Sequence, residues 1–105
     1  MFDHEVVKKV VYGNIPNELI ERVVVFGSRA RNEETEDSDT DICVIFKDEL
    51  PREDVLRYRV AMNRAFACDY RMPTDIVMKS SDNFNRYKGV IGSLECAIAE
   101  EGVAL

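Results

Sequence analysis

A chain of 105 residues has room for one domain with a single modest core, one that buries about 65% of the surface its unfolded chain exposes. Its 20 acidic and 14 basic residues leave a net charge of -6, which on average repels a duplex phosphate backbone and argues against nucleic acid as the main partner. No apolar run reaches the roughly 20 residues that span a bilayer, and no signal-peptide pattern opens the chain. Cys43, Cys68 and Cys96 show no paired spacing, so they read as core thiols of a soluble cytoplasmic protein.

Phe2 to Tyr12 places Phe2, Val6, Val7, Val10 and Val11 at helical spacing, with Asp3 and Glu5 early and Lys8 and Lys9 late, as the helix dipole favours. Gly13-Asn14 ends that helix. Ile15-Pro16-Asn17 leads into a brief turn, Glu18 to Glu21, whose Leu19 and Ile20 are expected beneath the first strand. His4, the only histidine, falls on an exposed first turn, so a histidine metal site has no support. Val23-Val24-Val25-Phe26 is an unbroken β-branched and aromatic run, the composition of a strand buried on both faces. It stops at Gly27-Ser28, where glycine allows a sharp turn and a close approach to a ligand, and Arg29-Ala30-Arg31 opens a short helix. That geometry suits a phosphate. Arg29, beside the turn, is the candidate phosphate contact; Arg31 is expected in a surface ion pair with the acids that follow. The stretch Glu33 to Asp37 reads as a solvated loop, the other reading being a flap beside the site.

A second strand, Asp41 to Phe46, carries Asp39 and Asp41 at its mouth. Side chains two apart on a strand share a face, about 6.6 Å apart along it. Two carboxylates so placed repel unless a cation lies between them, and Mg²⁺ with its preference for oxygen is the natural filler. Lys47 to Pro51 breaks the pattern. Helix follows from Arg52 to Cys68, with Val55, Leu56, Val60, Met62, Ala65, Phe66 and Ala67 on a broad apolar face and Arg52, Arg57, Arg59 and Arg64 outside. Met72-Pro73 introduces a third strand, Thr74 to Met78. Alternation puts Asp75 with Val77 on one face, where Asp75 is able to face the acidic pair of a neighbouring strand; a carboxylate among apolar residues calls for a partner or a metal, the other reading being an edge-strand Asp that faces water. Ser80-Ser81-Asp82 caps a last helix that breaks around Lys88-Gly89, resumes from Ile91 to Glu101 and stops at Gly102. Ile91, Leu94, Cys96, Ala97 and Ile98 form its apolar stripe, and Val103 to Leu105 adds a short edge strand. Strands separated by helices give an α/β fold, a small mixed sheet flanked by helices.

A strand, Gly-Ser opening a helix, then Asp-x-Asp on the next strand resembles the nucleotidyltransferase superfamily that includes DNA polymerase beta. The wording Gly27-Ser28-Arg29-Ala30-Arg31 and Ser38-Asp39-Thr40-Asp41-Ile42 is similar to its minimal nucleotidyltransferase (MNT) branch, and Thr74-Asp75-Ile76-Val77-Met78 supplies the third carboxylate that this family carries on a later strand. The resemblance covers Val23 to Met78. It departs at Asn32, where the family usually has glycine after the second arginine; no catalytic group is touched. The order of three motifs is a strong signal, where Gly-Ser alone is a weak one.

The resemblance implies a polymerase beta palm-like fold and transfer of a nucleoside monophosphate, AMP from ATP being the first expectation, to a hydroxyl with pyrophosphate leaving. Asp39, Asp41 and Asp75 are then the metal-binding and catalytic residues for two Mg²⁺ ions, with Mn²⁺ as the other choice. Gly27, Ser28 and Arg29 are the nucleotide-binding residues. Similarity to the minimal branch further implies a helical HEPN-type toxin as partner, with this chain as the antitoxin that attaches AMP to a tyrosine of the toxin. Two alternatives stay open: a non-catalytic module that neutralises its partner by contact, and a small-molecule nucleotidyltransferase working as a homodimer.

Overall fold

The structure, a computed structural model, describes residues 4–26, 40–71 and 74–105. Along these the chain forms helix α1 (His4–Asn14), strand β1 (Ile20–Phe26), strand β2 (Thr40–Phe46), helix α2 (Arg52–Arg64), strand β3 (Thr74–Ser80), helix α3 (Ser81–Tyr87), helix α4 (Leu94–Glu101) and a short strand β4 (Val103–Ala104). A 3-10 turn, Asn17–Leu19, precedes β1, and a π-helical turn, Ala65–Asp69, extends α2.

The strands form one mixed sheet in the order β3-β2-β1-β4. β1 runs antiparallel to β2 and to β4, whereas β2 and β3 are parallel. A parallel neighbour requires a crossover, and α2 with its π-helical extension provides it. Residues Val23, Val24 and Val25 of β1 and Ile42 to Phe46 of β2 are all buried, as expected for strands covered on both faces.

Alternation sorts the two faces. Ile20, Val23, Ile42, Val44, Phe46 and Ile76 pack with Val7, Val10 and Val11 of α1 and with Met62 and Phe66 of the crossover. Val24, Cys43 and Ile45 pack on the opposite face with Phe84 of α3 and Ile98 of α4, and Phe26 and Val77 adjoin them. A register shift between Ile20 and Arg22 returns Ile20 to the first face, since one extra residue inverts the alternation. The result is a sheet between two helical layers. Among the described residues no helix is long and apolar enough to cross a membrane.

Several local expectations are corrected. In α2, Leu56 and Val60 are 58% and 55% exposed, and Ala67 and Cys68 in the following turn are exposed as well. The buried stripe ends in Met62 and Phe66, and helical periodicity traces it back through half-buried Tyr58 and Val55. Leu56 and Val60 lie off that stripe. Of the cysteines only Cys43 is buried; Cys96 is intermediate. The last helix starts at Leu94 rather than Ile91, and Ile91 is 95% exposed. Gly92 has φ +89, in the left-handed region that stops a helix, and Ser93 caps α4 instead, its hydroxyl accepting from the Cys96 amide at 3.0 Å. The same hydroxyl donates to the Tyr87 carbonyl at 2.8 Å, which pins the turn between α3 and α4. At the other end of α4 the Gly102 amide donates to the Ile98 carbonyl at 2.9 Å. A Cβ on Gly102 would collide with Ile98 O and Val24 Cγ1, so here glycine permits a close approach between helix and sheet.

Candidate functional site

Two of the three sequence-predicted carboxylates fall on described strands, and the sheet brings them together. In the parallel β2–β3 pair Asp41 is the register partner of Asp75, and across β1 it faces Phe26. Adjacent strands are about 5 Å apart, and residues level with one another project from the same face. The carboxyl groups therefore stand side by side, on the face shared with Cys43 and Val77. Asp41 is half-buried and Asp75 exposed. β3 is an edge strand, so Asp75 keeps its solvent access and burial alone demands no partner for it. What couples it to Asp41 is register.

The apolar cluster of Val24, Cys43, Ile45, Phe84 and Ile98 forms the floor behind the two acids. Burial pushes the Cys43 thiol from its ordinary value of 9.0 up to about 12; Lys79 opposes this, Glu95 adds to the rise and Arg22 opposes it. A thiol so held is neutral and inert near pH 7. Further along this face Lys79 Nζ meets Glu95 Oε1 at 3.2 Å. Glu95 is the buried charged residue among those described, 7% exposed, and this ion pair ties α4 to β3. Its partners are far apart in sequence, so no motif announced it. Sequence reasoning also missed an open cleft of about 550 Å³ at the carboxyl ends of β2 and β3, lined in part by Arg52, Lys79, Asp82 and Arg86. Nothing at short range could have signalled it, because four separate elements, β2, α2, β3 and α3, build it.

Asp39, Gly27, Ser28, Arg29 and Arg31, and the acidic run Glu33 to Asp37, lie outside the described residues. Among the described residues no group of three His, Cys, Asp or Glu side chains converges on a metal position. Asp41 and Asp75 alone offer a pair of hard oxygen ligands on one face, the donor chemistry that suits Mg²⁺ or Mn²⁺ and not a soft metal. The donor set fits such an ion, with Asp39 as the remaining ligand expected from the sequence.

A family model described as a nucleotidyltransferase domain matches residues 7–100. No curated protein matches the chain in sequence. Among solved structures, one assigned as a minimal nucleotidyltransferase is similar at 27% identity and a TM-score of 0.61, covering 99% of this chain and 97% of that one. A toxin-antitoxin structure with AMP-PNP is similar at 20% identity and a TM-score of 0.68, covering 98% and 72%. A third, the tri-AMPylated HEPN toxin of Shewanella oneidensis in complex with MNT antitoxin, is similar at 20% identity and a TM-score of 0.56, covering 95% and 66%. Likeness at 20% identity speaks for the fold; the family model spans most of the chain, and its match agrees with the order of motifs and with the aligned acids on β2 and β3. The chain belongs to the nucleotidyltransferase domain family of the polymerase beta superfamily.

Proposed function

We propose that this chain is a single minimal nucleotidyltransferase domain that transfers AMP from ATP to a hydroxyl on a protein partner, a tyrosine of a HEPN-type toxin, and so acts as an antitoxin. The observation that carries the reading is the in-register placement of Asp41 and Asp75 on one face of the sheet, in a chain whose family transfers nucleotides. Similarity to toxin-antitoxin structures, one with AMP-PNP and one with an AMPylated HEPN toxin, supports the donor and the partner.

In this reading Asp39, Asp41 and Asp75 would hold the metal ions, with Asp75 nearest the acceptor. Bound Mg²⁺ supplies charge neutralisation for the triphosphate and the departing pyrophosphate. The acceptor oxygen attacks the α-phosphorus in line, and the bond from that phosphorus to the bridging oxygen breaks. Asp75, nearest the acceptor, takes its proton. The Gly27 amide, the Ser28 hydroxyl and Arg29 grip the phosphates, positioning being the protein's main contribution to phosphoryl chemistry.

The test is intact-mass spectrometry of both chains after incubation with ATP, Mg²⁺ and the HEPN-type partner, expected as the product of the neighbouring gene. Whole AMP units are expected on the neighbour and none with Asp39→Ala, Asp41→Ala. A tight complex without any mass gain would replace this reading with neutralisation by contact.

A further inference from the structure

β3 closes one edge of the sheet. At the opposite edge β1 is covered, by β4 alongside Val24 and Val25 and by the Leu105 amide donating to the Val23 carbonyl at 2.8 Å. Among the described residues no backbone hydrogen bond from outside the sheet reaches β3, so no described residue pairs with the outer donors and acceptors of this seven-residue strand. Such an edge pairs readily with another strand unless something blocks it. Proline and a bulge are both absent from Thr74–Ser80.

The sequence of this strand, Thr74-Asp75-Ile76-Val77-Met78-Lys79-Ser80, is complementary to itself when reversed about Val77. Antiparallel pairing of two copies centred there sets Val77 against Val77, Ile76 against Met78, Asp75 against Lys79 and Thr74 against Ser80. Residues directly opposite in an antiparallel pair project from the same face with Cβ atoms about 5 Å apart. Each copy's charged face would therefore continue into the other's charged face, and Ile76 and Met78 would extend the apolar face. Both opposite-charge pairs form at once, as a two-fold interface demands. Slipping the register by one residue inverts the faces, and slipping it by two sets Asp75 against Val77, so the centred register alone satisfies every pair.

We propose that β3 is a homodimer edge: two copies pair antiparallel through it into one continuous sheet, and the Lys79 ammonium of each lies beside Asp75 of the other. Asp75 is exposed and available. Lys79 is 26% exposed, bonded to Glu95 of its own chain, and an ammonium with three donors is able to serve both carboxylates. The second copy thereby contributes a cation to the candidate catalytic site. Pairing depends on the register and sequence of β3, so it stands or falls apart from the transfer chemistry above.

Sedimentation velocity of the full chain tests it. The wild type is expected to sediment as a dimer at micromolar concentration. Asp75→Lys and Lys79→Asp, each alone, set like charges against each other twice and should weaken the dimer at least about tenfold. Mixed in equal amounts the two variants should dimerise again, because each chain then meets opposite charge in the other. Circular dichroism reports whether each variant folds. If Lys79→Asp does not fold because Glu95 loses its partner, Lys79→Asp with Glu95→Lys takes its place in the same exchange. A monomeric wild type, a dimer indifferent to both substitutions, or no recovery on mixing folded variants overturns the proposal; an extended segment of some other protein bound to a monomer along β3 overturns it too.

Discussion

Asp41 and Asp75 sit level in adjacent strands, yet one is half-buried and the other exposed, and that difference separates what their loss should do. Asp41 lies inside the sheet beside the expected nucleotide site; Asp75 lies on the outer strand, which in the proposed reading is the side of the acceptor. Asp75→Asn should leave ATP affinity nearly unchanged, measured by calorimetry, while the transfer rate falls by about 10²-fold or more. Asp41→Asn should lose both, and a parallel fall in affinity and rate at Asp75 would contradict the division of labour. Behind them Cys43 makes a second expectation, about pH. Its thiol is raised from 9.0 to about 12 in the fold, so above pH 9 the unfolded chain releases a proton that the folded chain keeps. Stability is then full below pH 9 and declines towards pH 12, by about 1.4 kcal/mol per pH unit where the difference in bound protons is complete. Urea titrations at pH 8 and pH 10 should show that decline, and Cys43→Val should remove most of it.

At the scale of elements the junction of α4 with β4 leaves no room for a side chain at Gly102. Gly102 has ordinary extended backbone, φ -73 and ψ 151, so alanine fits the backbone, but its Cβ would collide with the Ile98 carbonyl oxygen and the Val24 side chain. Gly102→Ala is expected to cost about 1–3 kcal/mol by overpacking, read as a fall in Tm, and to loosen β4 from β1. The sequence announced this glycine as a helix stop, which is correct, and gave no sign of the close approach, which depends on a strand far away in the chain. The same contrast runs through the fold. β1 and β2 were legible because continuous β-branched runs have a single comfortable setting, a strand with both faces covered. α2 was legible as a helix but not in its orientation: Leu56 and Val60 make one apolar line, Met62 and Phe66 another, and periodicity alone does not say which meets the sheet. The start of α4 was misplaced because Ile91 fits the apolar stripe, while Gly92 and Ser93, which set the boundary, act through a positive φ and a hydroxyl cap. Of the candidate site, alternation put Asp75 on the face that it shares with Asp41; Gly27, Ser28, Arg29 and Asp39 lie outside the described residues. The register that sets Asp75 level with Asp41 and the Lys79–Glu95 pair were not legible, since each is fixed by packing between separate elements.

The whole molecule is a sheet between two helical layers, with the candidate acids at one end of the face that α3 and α4 cover. Opposite-charge groups hold the other end of that face together through Lys79 and Glu95, so one strand carries both a candidate metal-binding carboxylate and the anchor of α4. The parallel pairing of β2 with β3 has a consequence for how the protein comes into being. An antiparallel neighbour can fold back at once, but Asp75 reaches Asp41 only after the whole of α2 and its π-helical turn has been made and laid across the sheet, and the entropy of closing that loop is lost before the contact forms. On a ribosome the chain would emerge with β1 and β2 first and remain without its paired acids until β3 arrives. A nascent or partly unfolded copy therefore has no assembled site, and any chemistry that needs both carboxylates is confined to chains that have finished folding.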